Sequence, residues 1–219
     1  MAIRIGTEFM GKVDAVGTES IQTKFLVIGG PIAPLESWYV LQDTFRGVNG
    51  FRIPLHGKSV LLGYLRNWLY LPAIVLWVLA FAVAEEMIWM VFPAVLLTAA
   101  WLVCWLALGR TPAEEKRQRE LLRTIAGVAA LPRMLPPDAV TRFRTQIAAA
   151  AAAHGLADDR SAVGTASAPA LLPLAWALAV YSGWDDVAAR HWSVLAGLPA
   201  TASVPSTAPD ATGGAITPR

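Results

Sequence analysis

Residues 67–108 read NWLYLPAIVLWVLAFAVAEEMIWMVFPAVLLTAAWLVCWLAL. These 42 residues hold no Lys, Arg or His, and their only charges are the neighbours Glu85 and Glu86. One continuous helix of that length would run about 63 Å at 1.5 Å per residue, roughly twice a bilayer's hydrocarbon core. Two antiparallel spans turning at the Glu pair fit better. The first, about 67–84, holds 17 uncharged residues from Trp68 to Ala84, and the second, about 87–108, holds 22. No Gly, Asn or Ser lies between Pro72 and Pro93 to break the helix at the turn. Pro93 therefore marks an alternative start for the second span, with Met87 to Phe92 lying in the interface. Ala73, Ala80 and Ala84 share one helical face and Ala94 and Thr98 another; such small residues let membrane helices approach closely.

The flanks set an orientation. Arg52, Lys58 and Arg66 precede the first span, and Arg110, Lys116, Arg117, Arg119 and Arg123 follow the second, while the turn carries no cation. The excess of Lys and Arg on cytoplasmic loops then predicts a multi-pass protein of the cell (inner) membrane, both termini cytoplasmic. The first ten residues lack the apolar run of a secretory signal, which agrees with a cytosolic N-terminus. Arg66, Trp68, Tyr70 and Arg110 are the expected interface anchors, a snorkelling cation and amphipathic rings at headgroup level. Glu85 and Glu86 form the expected hairpin tip, as a solvated turn. Composition agrees: 55% of residues are hydrophobic, and six of nine Trp lie between Trp38 and Trp105. Fourteen Arg against four Lys, with abundant Ala, point to a GC-rich bacterial source.

Before the hairpin, 1–58 reads as a small cytosolic antiparallel β-module. Ile21, Thr23, Phe25 and Val27 alternate with Gln22 and Lys24, the period of a half-buried strand. Further strand candidates are Ile3–Ile5, Phe9–Val16, Trp38–Gln42 and Gly50–Leu55, the last preceded by a turn at Gly47–Gly50. Pro54 confines that last strand to an edge or an end. So small a sheet is marginal alone and is expected to lean on the membrane surface, on the C-terminal part or on another copy. His56-Gly-Lys-Ser59 resembles the end of a phosphate loop, but Arg52 stands where the motif needs its first Gly. Gly57 is better read as a chain break before a helix that leads into the membrane.

Residues 111–197 read as a cytosolic helical domain. Thr111 and Glu114 have the spacing of a capping box, with Glu114–Gln118 and Glu115–Arg119 pairs behind it. Lys116, Arg117 and Arg119 lie on a solvated face whose appeal to anionic lipid is weakened by neighbouring Glu. A second helix from about Pro137 stops at Gly155, with His154 favoured by the dipole of the helix end. The apolar stretch Ala168–Tyr181 is 14 residues, shorter than a span. It is a buried or interfacial helix, with a third span at 168–184 as the alternative. Residues 198–219, rich in Ala, Thr, Pro, Ser and Gly, read as a disordered tail.

Chemistry is sparsely represented. The lone Cys104 sits in the apolar run, and His56, His154 and His191 lie too far apart for paired metal ligands. No cofactor is implied. Asp185, Asp186, Arg190 and His191 cluster in sequence, but nothing selects a nucleophile for them to serve. A net charge of +2 argues against nucleic acid, leaving Arg142 and Arg144 as the weak candidates for it. The expectation is thus an α+β integral membrane protein with a transmembrane helical hairpin between a β-module and a helical domain. Its expected role is non-catalytic: an anchor, scaffold or accessory subunit presenting cytosolic domains to a protein partner or a second copy. Trp38, Trp184 and Trp192 are the candidate contacts, since Trp is enriched at binding hot spots. The rival expectation is a transporter or membrane-enzyme component using Glu85 or Glu86.

Overall fold

A computed structural model describes residues 5–44, 47–82, 89 and 91–198. The chain is mixed α+β and divides into two compact units, Met1–Thr111 and Pro112–Arg219.

The first unit is built on four strands, β1 (Ile5–Val16), β2 (Glu19–Ile28), β3 (Pro31–Thr44) and β4 (Gly47–Ile53), paired antiparallel in the order 1-2-3-4. The alternation read from β2 holds on one face: Ile21, Thr23, Phe25 and Val27 are all buried. Gln22 departs from it, being buried too, with its amide on the Ser20 hydroxyl. Two candidate strands, Ile3–Ile5 and Phe9–Val16, merge into β1 over their described residues, because register shifts near Gly11 and near Asp14 let a strand continue past its glycine. β3 is nearly three times as long as the Trp38–Gln42 segment expected. Its prolines are absorbed by shifts opposite Pro34 and Pro31, where the ladder does without a donor. Residues 47–50 pair with β3 rather than forming a turn, and β4 ends just before Pro54 as an edge strand.

The sheet leans on its own chain. Helix α1 (Gly57–Trp68) lies across β1, β2 and β3, burying Ser59, Leu62 and Gly63. Gly11 and Gly63 allow this contact. A Cβ on Gly11 would sit 1.9 Å from the Ser59 carbonyl oxygen, and one on Gly63 would meet the Phe25 ring at 2.7 Å. Between them runs a directional chain of hydrogen bonds. The His56 amide donates to Ser37 Oγ (3.0 Å), Ser37 bonds Thr23 Oγ1 (2.8 Å), Thr23 donates to Ser59 Oγ (2.9 Å), and Ser59 donates to the Gly11 carbonyl (2.7 Å). Every buried hydroxyl in the chain has a partner, so the polar layer carries no unmet desolvation cost. Lys58 is held by Asp14 at 2.6 Å. The resemblance to a phosphate loop at 56–59 thus dissolves: its Lys is paired and its Ser is buried.

Helices α2 (Tyr70–Ala82) and α3 (Val91–Leu106) follow α1 and pack on each other. The break at Leu69 has a local cause, since Pro72 lacks the N–H that would reach the Trp68 carbonyl and its ring crowds that oxygen. Counted through this break, Gly57–Ala82 is long and apolar enough to cross a membrane by length and composition, and it is the sole such helix among the described residues. The described part of the second expected span, α3, has 16 residues.

The second unit is helical: α4 (Ala113–Ala126), α5 (Pro137–Ala153), α6 (Arg160–Thr165), α7 (Leu172–Ser182) and α8 (Asp185–Gly197). Helix α7 is its centre, with Leu172–Ala179 and Tyr181 all buried against α4, α5, α6 and α8. The alternative third span at 168–184 is therefore the core helix of a folded unit. Gly155 ends α5 with positive φ, as its position suggested, and Gly183 ends α7 in the same way. The capping box at Thr111 does not form: Pro112 caps α4 without a side-chain bond, and Glu114 instead accepts from Trp192 Nε1 at 2.8 Å. Of the expected tail, 198–219, all but Leu198 lies outside the described residues.

Candidate functional site

The feature that soluble folding does not explain is the outer surface of α2 and α3. Side chains there are apolar and exposed all round, among them Val78 at 61%, Phe81 at 76%, Phe92 at 70% and Leu106 at 59%. A core helix would bury such residues, and a surface helix would carry a polar stripe. Neither pattern occurs here. Fully burying one Val, Leu, Ile or Phe is worth about 1.5–3 kcal/mol, so covering the sleeve of half-exposed residues would be favourable by on the order of 10 kcal/mol or more.

The inner surface is closed by small residues and satisfied polar atoms. Ala73, Ala80, Ala94 and Cys104 are buried. Trp77 Nε1 donates to Thr98 Oγ1 at 3.0 Å, and Thr98 donates to the Ala94 carbonyl one turn back. With helical backbones and these bonds, the pair asks nothing of water along its length. Cys104 is a packing residue, as its setting in the sequence suggested.

At the base of the hairpin the structure departs from the sequence reading of Arg66 as a freely snorkelling cation. Its guanidinium donates to the carbonyls of Cys104 (3.0 Å), Leu108 (2.9 Å) and Lys12 (2.8 Å), and lies 5.2 Å from the centre of the Trp105 ring. Trp101 Nε1 donates back to the Arg66 carbonyl at 3.1 Å. Arg66 thereby satisfies the orphan carbonyls at the end of α3 and ties α1, α3 and β1 together. The signal in the sequence was Gly109, a stop residue after the last apolar position, with φ +90°. Its carbonyl accepts from the Asp14 amide at 2.8 Å.

The other expected anchors are Trp68, Tyr70 and Arg110. Trp68 is partly exposed and donates from Nε1 to the Pro31 carbonyl at 2.9 Å, and Tyr64 donates to the Ile32 carbonyl at 2.8 Å. Tyr70 and Arg110 are exposed. His56 caps α1, its Nδ1 accepting from the Ser59 amide at 3.4 Å. Burial lowers the His56 pKa below its ordinary value, against an upward pull from Asp14 and with a smaller downward push from Lys58. Glu85 and Glu86, the expected tip, lie outside the described residues.

The remaining candidates are mostly structural. Trp192 is buried on Trp176, ring centres 5.2 Å apart, which removes it from the expected contact residues. Trp184 is half-buried at the start of α8. Trp38 is half-buried, with its ring edge to face on Phe9 and its indole nitrogen buried without a hydrogen-bond partner. His191 is buried on the Val163 carbonyl, while Asp186 is paired with Arg160 at 2.8 Å, so no acid–base site assembles on α8. Among the described residues, no three His, Cys, Asp or Glu gather into a metal-holding group.

One arginine of the second unit was misread on the sequence. Arg119 is fully buried, donating to the Ala129 carbonyl at 2.6 Å, rather than lying on a solvated face beside Glu115. Arg117 caps the end of α8 through the carbonyls of Ala196 and Leu198. Arg144 is spent on Ser182 and Asp158, which weakens the nucleic-acid reading further. The chain matches no known protein family, no curated protein and no solved structure.

Proposed function

We propose that the α2–α3 hairpin crosses a lipid bilayer twice with both chain termini on the cytoplasmic side. The protein then acts as a non-catalytic anchor, scaffold or accessory subunit, presenting its sheet unit and its helical unit to a protein partner or a second copy. The observation that carries this reading is the apolar sleeve of α2 and α3, exposed outward while every polar atom named above along its inner seam is hydrogen-bonded. Cations flank the sleeve on both sides in sequence, and the connecting turn has none. Helices α2 and α3 are about 20 and 24 Å long at 1.5 Å per residue, against a hydrocarbon core of about 30 Å.

The test is topological. In a Cys104→Ala background, single cysteines are introduced by Thr18→Cys, Glu86→Cys and Ala215→Cys and exposed to a membrane-impermeant maleimide in intact cells. Residue 86 is expected to react, and residues 18 and 215 only after permeabilisation. Protection of residue 86 in intact cells, or release of the protein from membranes by alkaline carbonate, would overturn the two-span reading.

A further inference from the structure

The hairpin is not the sole apolar surface at this level of the molecule. Trp68, an anchor at the mouth of α2, is bonded to the Pro31 carbonyl, and its ring lies against Gly30, where a Cβ would approach it to 2.9 Å. The β2–β3 turn is thus fixed at the height of an interface tryptophan. Tyr64 fixes the next residue, Ile32, from the preceding turn of α1. What the turn presents there is apolar and unpaired by packing: Ile28 and Ile32 are each 48% exposed, and Ile5, the register partner of Ile28, is 73% exposed. From Phe25 to Leu35 the chain carries no charged residue. Farther along the strands, Asp14 and Glu19 are buried and held by Lys58 and by the Tyr39 hydroxyl.

We infer that the β2–β3 turn, with Ile5, Ile28 and Ile32, is a second membrane contact that dips into the boundary between headgroups and acyl chains beside Trp68. This rests on the hairpin's being embedded in a bilayer, because Trp68 links the two surfaces into one. The contact holds the β2–β3 end of the sheet at the interface. Isoleucine side chains flanking Gly-Gly-Pro suit this role, since the turn lets the apolar residues project while the carbonyls of Pro31 and Ile32 are already occupied.

The test is depth measurement on the full chain. Cysteines placed by Ile32→Cys, Val78→Cys and Thr18→Cys in the Cys104→Ala background carry a nitroxide, and the protein is reconstituted in phosphatidylcholine–phosphatidylglycerol vesicles. Collision with oxygen, which partitions into lipid, is compared with collision with an aqueous nickel chelate. The oxygen-to-nickel ratio is expected to be highest at residue 78, lowest at 18, and at 32 severalfold above that at 18. A ratio at 32 equal to that at 18, with 78 deep, would overturn this contact and leave the hairpin reading standing. An aqueous ratio at 78 would overturn both. Shielding of 32 from both reagents would show a contact between copies and overturn the lipid assignment. The same measurement at Ile28→Cys guards against a local disturbance at residue 32.

Discussion

Substituting Gly11 by Ala should detach the sheet from α1, and the size of the effect follows from the packing. Gly11 has φ +68°, a conformation that costs an Ala about 1–2 kcal/mol. The new Cβ would stand 1.9 Å from the Ser59 carbonyl oxygen and 3.0 Å from the Gly63 nitrogen. Both are backbone atoms of α1, so no rotamer change relieves the clash, and overpacking of this kind adds about 1–3 kcal/mol. Moving α1 away also lengthens the buried bond from Ser59 to the Gly11 carbonyl, worth roughly 1 kcal/mol. The sum is about 3–6 kcal/mol, which lowers a midpoint for a unit of this size by roughly 10–30 °C. Gly6→Ala is the matched control: it lies on the same strand, has nothing within 4 Å of its added Cβ, and should shift the midpoint little. The assay is thermal unfolding in detergent followed by tryptophan fluorescence. On the proposed two-span reading, carbonate resistance of both variants should stay unchanged, because the substitutions lie outside the hairpin. If Gly11→Ala unfolds within about 2 °C of Gly6→Ala, the close approach of β1 to α1 is wrong.

Two further outcomes are expected. The His56 cap needs a neutral imidazole, and burial sets the folded pKa below the unfolded value of about 6.5. The unfolded chain then binds more protons, so this contribution is complete above about pH 6.5 and is lost as pH falls through the folded pKa. Denaturation of wild type and His56→Asn at neutral and at mildly acidic pH should show a steeper acid loss in wild type; equal slopes would refute the cap. Arg119→Ala should destabilise the helical unit by about 3–5 kcal/mol, since it leaves a cavity and strips the Ala129 carbonyl of a charged donor. Arg119→Lys should not restore the loss, because an ammonium lacks the planar fork. A urea midpoint for Arg119→Ala close to wild type would place Arg119 back on the surface.

Much of the architecture was legible because it rests on local periodicity. The two-residue alternation of Ile21 to Val27 specifies a strand wherever that strand goes, and Gly155 and Gly183 stop helices through their own φ. The apolar run from Asn67 to Leu108, charged only at Glu85 and Glu86, marks α2 and α3 through composition alone. The length of β3 was not legible: it runs through Pro31 and Pro34, which partner strands accommodate through register shifts that no local rule encodes.

What only the tertiary structure decided is where each polar side chain spends its hydrogen bonds. Ser59, Arg66, Arg117 and Arg119 look alike on the sequence, as polar residues near helix ends or on charged faces. Their partners lie far along the chain, at Gly11, Cys104, Ala196 and Ala129, and a donor's choice among distant carbonyls follows from packing rather than from its neighbours. The apolar run needed no such partners, because hydrophobicity is additive and non-directional and its pattern survives without contacts. Hydrogen bonding is directional, so the latch at the base of that run, through Arg66 and Trp68, became visible only once the sheet, α1 and α3 had been brought together.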